Sequence, residues 1–173
     1  AAHLPPDAVA RHRAHYLALA LADRRDWQRI EATYAQITHA WDAIPDDDGD
    51  ALRAYYFALR TFVQLRGLHP THIAWAERAL SATDEPVDRG TLINQIALSR
   101  DALGEKQQAL ALYKKALEVY REAANPAYEA TALNNIGRVY DDLGDKPRAL
   151  EYYGQALPLL RQVGDRGGEA TTL

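Results

Sequence analysis

Apolar residues recur every three or four positions along almost the whole chain, which is the spacing of amphipathic α-helices. No stretch shows the strict alternation of apolar and polar residues that marks a half-buried β-strand. Turn-forming residues at 45–49 and at 125–126 interrupt the helical pattern. The pattern therefore predicts an all-α chain with eight complete helices. The second of these follows Asp26, its expected N-cap, and runs unbroken past Trp41.

The second half of the chain contains two copies of one pattern, 40 residues apart. Residues 103–106 read Leu-Gly-Glu-Lys and residues 143–146 read Leu-Gly-Asp-Lys. Gly104 and Gly144 stand where one helix must end and the backbone must enter the left-handed region. A third copy begins at residue 168 and is cut off. A fixed period of this length is typical of solenoids, which mostly bind other molecules.

The repeats define the expected organisation of the chain. We expect residues 1–86 to form a degenerate helix-hairpin region and the repeats to occupy residues 87–173. The repeats divide into residues 88–127, residues 128–167 and the start of a further repeat at residues 168–173. The broken last copy suggests a fragment of a longer protein.

Composition narrows the classes of function. Hydrophobic residues make up 47% of the chain and charged residues 25%, so we expect a folded protein. The net charge of -4 argues against nucleic-acid binding, which needs a basic surface. There is no cysteine, no signal peptide and no apolar run of membrane-spanning length. We therefore expect a cytoplasmic protein without a membrane or nucleic-acid partner.

Motifs for catalysis and for cofactors are missing from the sequence. No glycine-rich loop ends in Gly-Lys-Ser/Thr, and no serine nucleophile motif occurs. His12 and His15, and likewise His69 and His72, have the spacing of helical metal ligands, but no nearby carboxylate completes either set. We expect no enzyme activity, no cofactor and no metal site in this chain.

The two copies resemble tetratricopeptide repeats of the 40-residue kind. The preceding copy departs from the family pattern at Arg100, where an aromatic residue is expected. The resemblance implies a right-handed superhelix of antiparallel helix hairpins whose concave groove binds proteins or peptides. The later copy carries the pattern on its first helix at Leu133, Ile136, Gly137 and Tyr140, and on its second helix at Ala149, Tyr153 and Ala156.

Residues 51–82 resemble a decayed copy of the same repeat. Gly67, Ala79 and Leu80 keep the spacing of the later copies. His72 stands where the family has a small alanine, so we expect this hairpin to pack differently.

The resemblance also implies a set of groove residues, because the first helix of each tetratricopeptide pair lines the groove. Side-chain amides there pair with the backbone of an extended ligand, since an amide carries both donors and acceptors. The alternative is a solvated or intra-repeat hydrogen-bonding role. A strong clamp for carboxylates would need several Lys or Arg, and the set mixes acid and base. The candidates are Asn94, Gln95, Leu98, Asp101, Asn134, Asn135, Arg138 and Asp141.

The first half of the chain carries a second resemblance. Residues 11–17 and 26–31, followed by Ala40-Trp41, are similar to the region after the ATPase module in bacterial STAND regulators, the NB-ARC-like signal-transduction ATPases. The resemblance implies an arm followed by a sensor that responds to a protein or peptide inducer, or to other domains of the same polypeptide. The alternative is a free-standing tetratricopeptide adaptor that bridges partner proteins through its groove.

Overall fold

The computed structural model describes residues 6–22 and 27–172, and within these ranges all regular secondary structure is helical. The helices form two compact units, Ala1–Thr83 and Asp84–Leu173. No described helix is both long enough and apolar enough to span a bilayer. In chain order the helices are α1 (Pro6–Ala22), α2 (Trp27–Ala32), α3 (Tyr34–Asp42), α4 (Gly49–Leu65), α5 (His69–Ser81), α6 (Pro86–Ala102), α7 (Lys106–Glu122), α8 (Pro126–Asp142), α9 (Lys146–Val163) and α10 (Arg166–Thr172).

The all-α prediction is confirmed, but the prediction of one unbroken helix past Trp41 is wrong. The backbone of Thr33 leaves helical geometry, with φ −114° and ψ 10°, and separates α2 from α3. The Thr33 hydroxyl donates to the carbonyl of Ile30 at 3.4 Å, a local bond that competes with the helix. Asp26, the expected N-cap, lies outside the described residues. The truncated third copy forms the short helix α10.

Aromatic packing links α3 to α5 within the first unit. Trp41 and Trp75 stack with ring centroids 4.9 Å apart, and both are almost fully buried. Arg78 of α5 lies over the Trp41 ring and donates to the Trp41 carbonyl at 2.9 Å and to Asp46 at 2.8 Å. Arg78 thereby ties α5 to the end of α3 and to the loop that follows it.

The hairpin of α4 and α5 packs differently from the later repeats, as predicted. Counting from the turn glycine, His72 occupies the position of Ala109, and Ala76 occupies the position of Tyr113. Both His72 and Ala76 are fully buried. The His72 ring shares a hydrogen bond of 2.9 Å with the Tyr56 hydroxyl of α4. The large side chain has thus moved one helical turn toward the start of α5.

In the second unit, α6 packs against α7 and α8 against α9 as two hairpins. Gly104 and Gly144 adopt φ values of 81° and 80°, which confirms their predicted left-handed conformation. The N–H of Glu105 donates to Arg100 at 2.9 Å, and the N–H of Asp145 donates to Tyr140 at 2.9 Å. Each hairpin turn therefore closes with the hydrogen bonding of a Schellman motif.

Small residues allow close helix approach in both hairpins. A Cβ atom at Gly137 would lie 2.6 Å from the Tyr153 ring, and one at Gly90 would lie 2.5 Å from the Tyr120 ring. Leu150, however, is 69% exposed, although its repeat equivalent Leu110 is buried. Leu110 lines a cavity together with Tyr140 and Leu143 of the next hairpin.

Candidate binding face

The predicted groove residues of α8 border a small open cavity. Asn134, Asn135 and Arg138 line it together with Tyr153 of α9, and its volume is about 180 Å³. These three α8 residues lie within four positions of one another, so one turn of helix presents them on one side. Tyr153 was named only as part of the repeat pattern, and no feature of the sequence showed that it also lines a cavity.

The amides of neighbouring repeats pair with each other. The Asn135 amide donates to the Asn94 carbonyl oxygen at 3.2 Å, and Asn94 is buried. The Thr172 hydroxyl of α10 donates to the Gly168 carbonyl at 2.7 Å and lies 3.1 Å from the Asn134 carbonyl oxygen. The pair of Asn135 and Asn94 therefore joins α8 to α6 across consecutive repeats. Because each amide group has several donor and acceptor sites, one such bond leaves Asn135 with further hydrogen-bonding capacity.

Asp101, another predicted groove residue, lies at the centre of an ion-pair network. Its side chain is 4% exposed and accepts from Lys106 at 2.6 Å and from Arg138 at 2.7 Å. Lys106 also reaches Asp142 at 2.7 Å, and these hydrogen bonds to Asp101 and Asp142 raise the pKa of Lys106. The network connects α6, α7 and α8, and the sequence showed no sign that Lys106 and Asp142 belong to it.

The remaining predicted residues are more peripheral. Gln95 and Leu98 are half-buried on α6, and Asp141 is half-buried on α8, where it pairs with Lys146. The structure therefore brings Asn134, Asn135 and Arg138 to one cavity, and it places Asn94 and Asp101 behind them as buried partners. A guanidinium and two amides at an opening suit the recognition of polar groups by hydrogen bonds.

The histidine pairs are engaged in packing. His12 lies 4.7 Å from the Tyr16 ring and 5.5 Å from the His39 ring, measured between centroids. His72 is buried against Tyr56, and burial lowers the pKa of His72 to about 4. In the part of the chain that the structure describes, no three His, Asp or Glu side chains are grouped as a metal site would require.

Residues 88–162 match the tetratricopeptide repeat family. A search of curated proteins finds no match to the sequence.

Solved structures resemble the chain over most of its length, all below 20% identity. The apo form of RapI has a TM-score of 0.77 at 18% identity, covering 92% of this chain and 60% of RapI. BtubC (BKLC) from P. vanneervenii has a TM-score of 0.61 at 19% identity, covering 96% of this chain and 60% of BtubC. This chain thus spans about three fifths of either protein.

A third structure is a candidate kinesin light chain of Podosopora anserina with nearly identical TPR-like repeats. Its TM-score is 0.65 at 12% identity, with 98% of this chain and 84% of that chain covered. At such identities the likeness concerns the fold alone, and it agrees with the helical hairpins described above. Residues 88–162 thus match the tetratricopeptide repeat family in sequence, and the chain has an all-α, TPR-like solenoid fold.

Proposed function

We propose that the second unit is a recognition module that binds an extended peptide segment along α6 and α8. The cavity formed by Asn134, Asn135, Arg138 and Tyr153 carries this proposal, because it places unlike hydrogen-bonding groups side by side at the surface. The binding residues are the predicted set on these two helices. Asn94 and Asp101 contribute indirectly, because they position the side chains of Asn135 and Arg138.

The charge of this face favours a polar segment over a strongly acidic tail. Arg138 already pairs with Asp101 at 2.7 Å and lies 3.9 Å from Asp142. Much of its positive charge is therefore compensated before any ligand arrives. The Asn135 amide then matches the peptide groups of a bound backbone, since it offers a donor and an acceptor together.

We place this module in a STAND-type regulator as the arm and first sensor repeats of an autoinhibited, cytoplasmic ATPase. The division into two compact units at residues 83 and 84 supports this placement, as does the resemblance of residues 11–17 and 26–31. The ligand is then a protein or peptide inducer, or another domain of the same polypeptide. An inducer shifts the resting state only by as much as it favours the open form.

Selection from a displayed peptide library, followed by affinity measurement, tests the binding face. Asn135→Ala removes one or two hydrogen bonds, so we expect a selected peptide to bind roughly 5- to 10-fold more weakly. Gln108→Ala is the matched control, because it removes an exposed amide of α7 outside the cavity. Equal affinity of both variants for every selected peptide would rule out this face.

The intact mass and bound nucleotide of the protein purified from its native source test the STAND placement. A chain with an ATPase module and tightly held ADP agrees with the placement. A native protein without such a module contradicts it and leaves the free-standing adaptor. The peptide measurement is independent of this result, so the two parts of the proposal fail separately.

A further inference from the structure

A second and larger cavity lies at the junction of α7, α8 and α9. Its volume is about 320 Å³, and it shares no lining residue with the cavity at Asn134 and Asn135. Its walls combine two leucines with polar and charged side chains. The lining residues are Gln107, Leu110, Tyr140, Leu143, Asp145 and Arg148.

Two cations converge on the Tyr140 phenol beside this cavity. Lys114 donates from Nζ to the Tyr140 hydroxyl at 3.2 Å, and its Nζ lies 5.6 Å from the ring centroid. The Arg148 guanidinium carbon lies 4.7 Å from the same centroid. Tyr152 stacks on the Tyr140 ring at 5.5 Å between centroids, which helps to fix its orientation. The hydrogen bond from Lys114 is the main reason why the pKa of Tyr140 is lowered.

The positive charge of this cluster is only partly compensated. Arg148 pairs with Asp145 at 2.5 Å. Lys114 is exposed, and among the described residues no carboxylate lies within ion-pair distance of its ammonium group. Lys114, Arg148 and Asp145 together carry one net positive charge. The Tyr140 hydroxyl accepts from Lys114, so its own proton remains available to an acceptor.

The repeat itself does not require this cluster. In the preceding repeat Arg100 occupies the position of Tyr140 and pairs with Glu105 at 2.8 Å. Gln108 occupies the position of Arg148, while Gly154 occupies the position of Lys114 one repeat later. Since the α6–α7 hairpin closes with the same turn geometry, the three residues are not a folding element of this repeat.

We propose that Lys114, Tyr140 and Arg148 form a binding site for an oxyanion, a phosphate or carboxylate group, at the edge of the second cavity. The ammonium group, the guanidinium group and the phenolic O–H supply three kinds of donor beside one aromatic ring. Charge-assisted hydrogen bonds of this type are the strong ones in recognition of phosphate and carboxylate. The adjoining cavity accommodates the body of the molecule that carries the oxyanion.

Two-dimensional NMR of the full ¹⁵N-labelled chain tests this site, with inorganic phosphate and acetate as probes at constant ionic strength. We expect saturable shifts of the amide signals around residues 107–114 and 140–148. Lys114→Gln should weaken binding about 10-fold, because it removes a charged donor. Lys115→Gln is the control, since it removes an exposed charge from the next position of α7 and should change the affinity less than twofold.

Tyr140→Phe is the second variant, because it deletes only the hydroxyl and keeps the ring. Phosphate binding that exceeds acetate binding fivefold or more identifies a phosphate group as the ligand, and the reverse preference identifies a carboxylate. Shifts that rise linearly without saturation would overturn the proposal. So would equal losses in the Lys114 and Lys115 variants, since this result would reflect general electrostatic attraction.

Discussion

The carboxylate of Asp101 in α6 and the guanidinium of Arg138 in α8 form an ion pair across the junction of two repeats, with Oδ2 and Nη2 2.7 Å apart. The Asp101 side chain is nearly inaccessible to water, so loss of its charge weakens two charge-assisted hydrogen bonds that a buried carboxylate accepts. Asp101→Asn should therefore lower the free energy of unfolding by about 2–3 kcal/mol, measured by urea denaturation.

Asp142→Asn is the control for this prediction, because Asp142 contacts the same two cations from a half-exposed position. Exposed ion pairs contribute little to stability, so we expect the free energy of unfolding to fall by less than about 1 kcal/mol. Equal losses in the two variants would show that the burial of Asp101 does not matter.

Close approach of α8 and α9 at Gly137 gives a second prediction. A methyl group at this position would lie 2.6 Å and 2.7 Å from two carbons of the Tyr153 ring. Gly137→Ala should destabilise the chain by about 1–3 kcal/mol through overpacking. Gly154→Ala meets open space on α9 and should stabilise the helix by about 0.5–1 kcal/mol. Thermal denaturation of both variants checks that one loses stability and the other gains it. A Gly137→Ala variant as stable as the wild type would contradict the packing argument.

Ala124 ends α7 with a positive φ of 49°, the only such value for a non-glycine residue in the described part of the chain. Glycine adopts this conformation without steric cost, so Ala124→Gly should stabilise the protein by about 0.5–1 kcal/mol. Ala123 has φ −77° and ψ 0°, and Ala123→Gly should instead destabilise by a similar amount of about 0.5–1 kcal/mol. Chemical denaturation of the two variants measures the change in the free energy of unfolding. A change of the same sign in both variants would contradict the backbone strain at Ala124.

His72 should make the first unit sensitive to acid. Burial lowers its pKa from 6.5 to about 4, so between these values the unfolded chain binds more protons than the folded one. The contribution of His72 to stability is therefore fully present above pH 6.5 and decreases as the pH falls toward 4. Below pH 4 this contribution changes no further. The loss amounts to at most about 3 kcal/mol.

Comparison of His72→Gln with the wild type at pH 7.5 and pH 4 isolates this contribution, because all other groups titrate in both chains. The wild type should lose more stability than His72→Gln over this interval. His39→Gln, which changes an exposed histidine, should lose as much as the wild type. An identical loss in all three chains would exclude a role for His72.

Local signals explain why most helix ends were predictable. The left-handed turns at Gly67, Gly104 and Gly144 depend on one residue and its immediate neighbours, and the sequence displays them directly. The break at Thr33 was missed because threonine is tolerated in helices, and its hydroxyl bond to Ile30 is not encoded by a distinctive residue type.

The binding face was harder to predict, because its geometry depends on which residues of different repeats meet. The pattern indicated that Asn135 and Arg138 share one side of α8. It did not indicate that Asn94 and Asp101, 41 and 37 positions earlier, would be buried as their partners. Such pairing follows from the packing of α6 against α8, and helical periodicity within one helix carries no information about it.

The exchange of a large and a small residue between positions 72 and 76 constrains how this hairpin could have diverged. Restoring alanine at position 72 alone would leave a cavity beside Tyr56, and a tyrosine at position 76 alone would be forced into a filled core. Each substitution is tolerated without loss of stability only together with the other. The two sites are therefore epistatic, and divergence between this hairpin and the later repeats had to pass through a less stable intermediate or through a paired change.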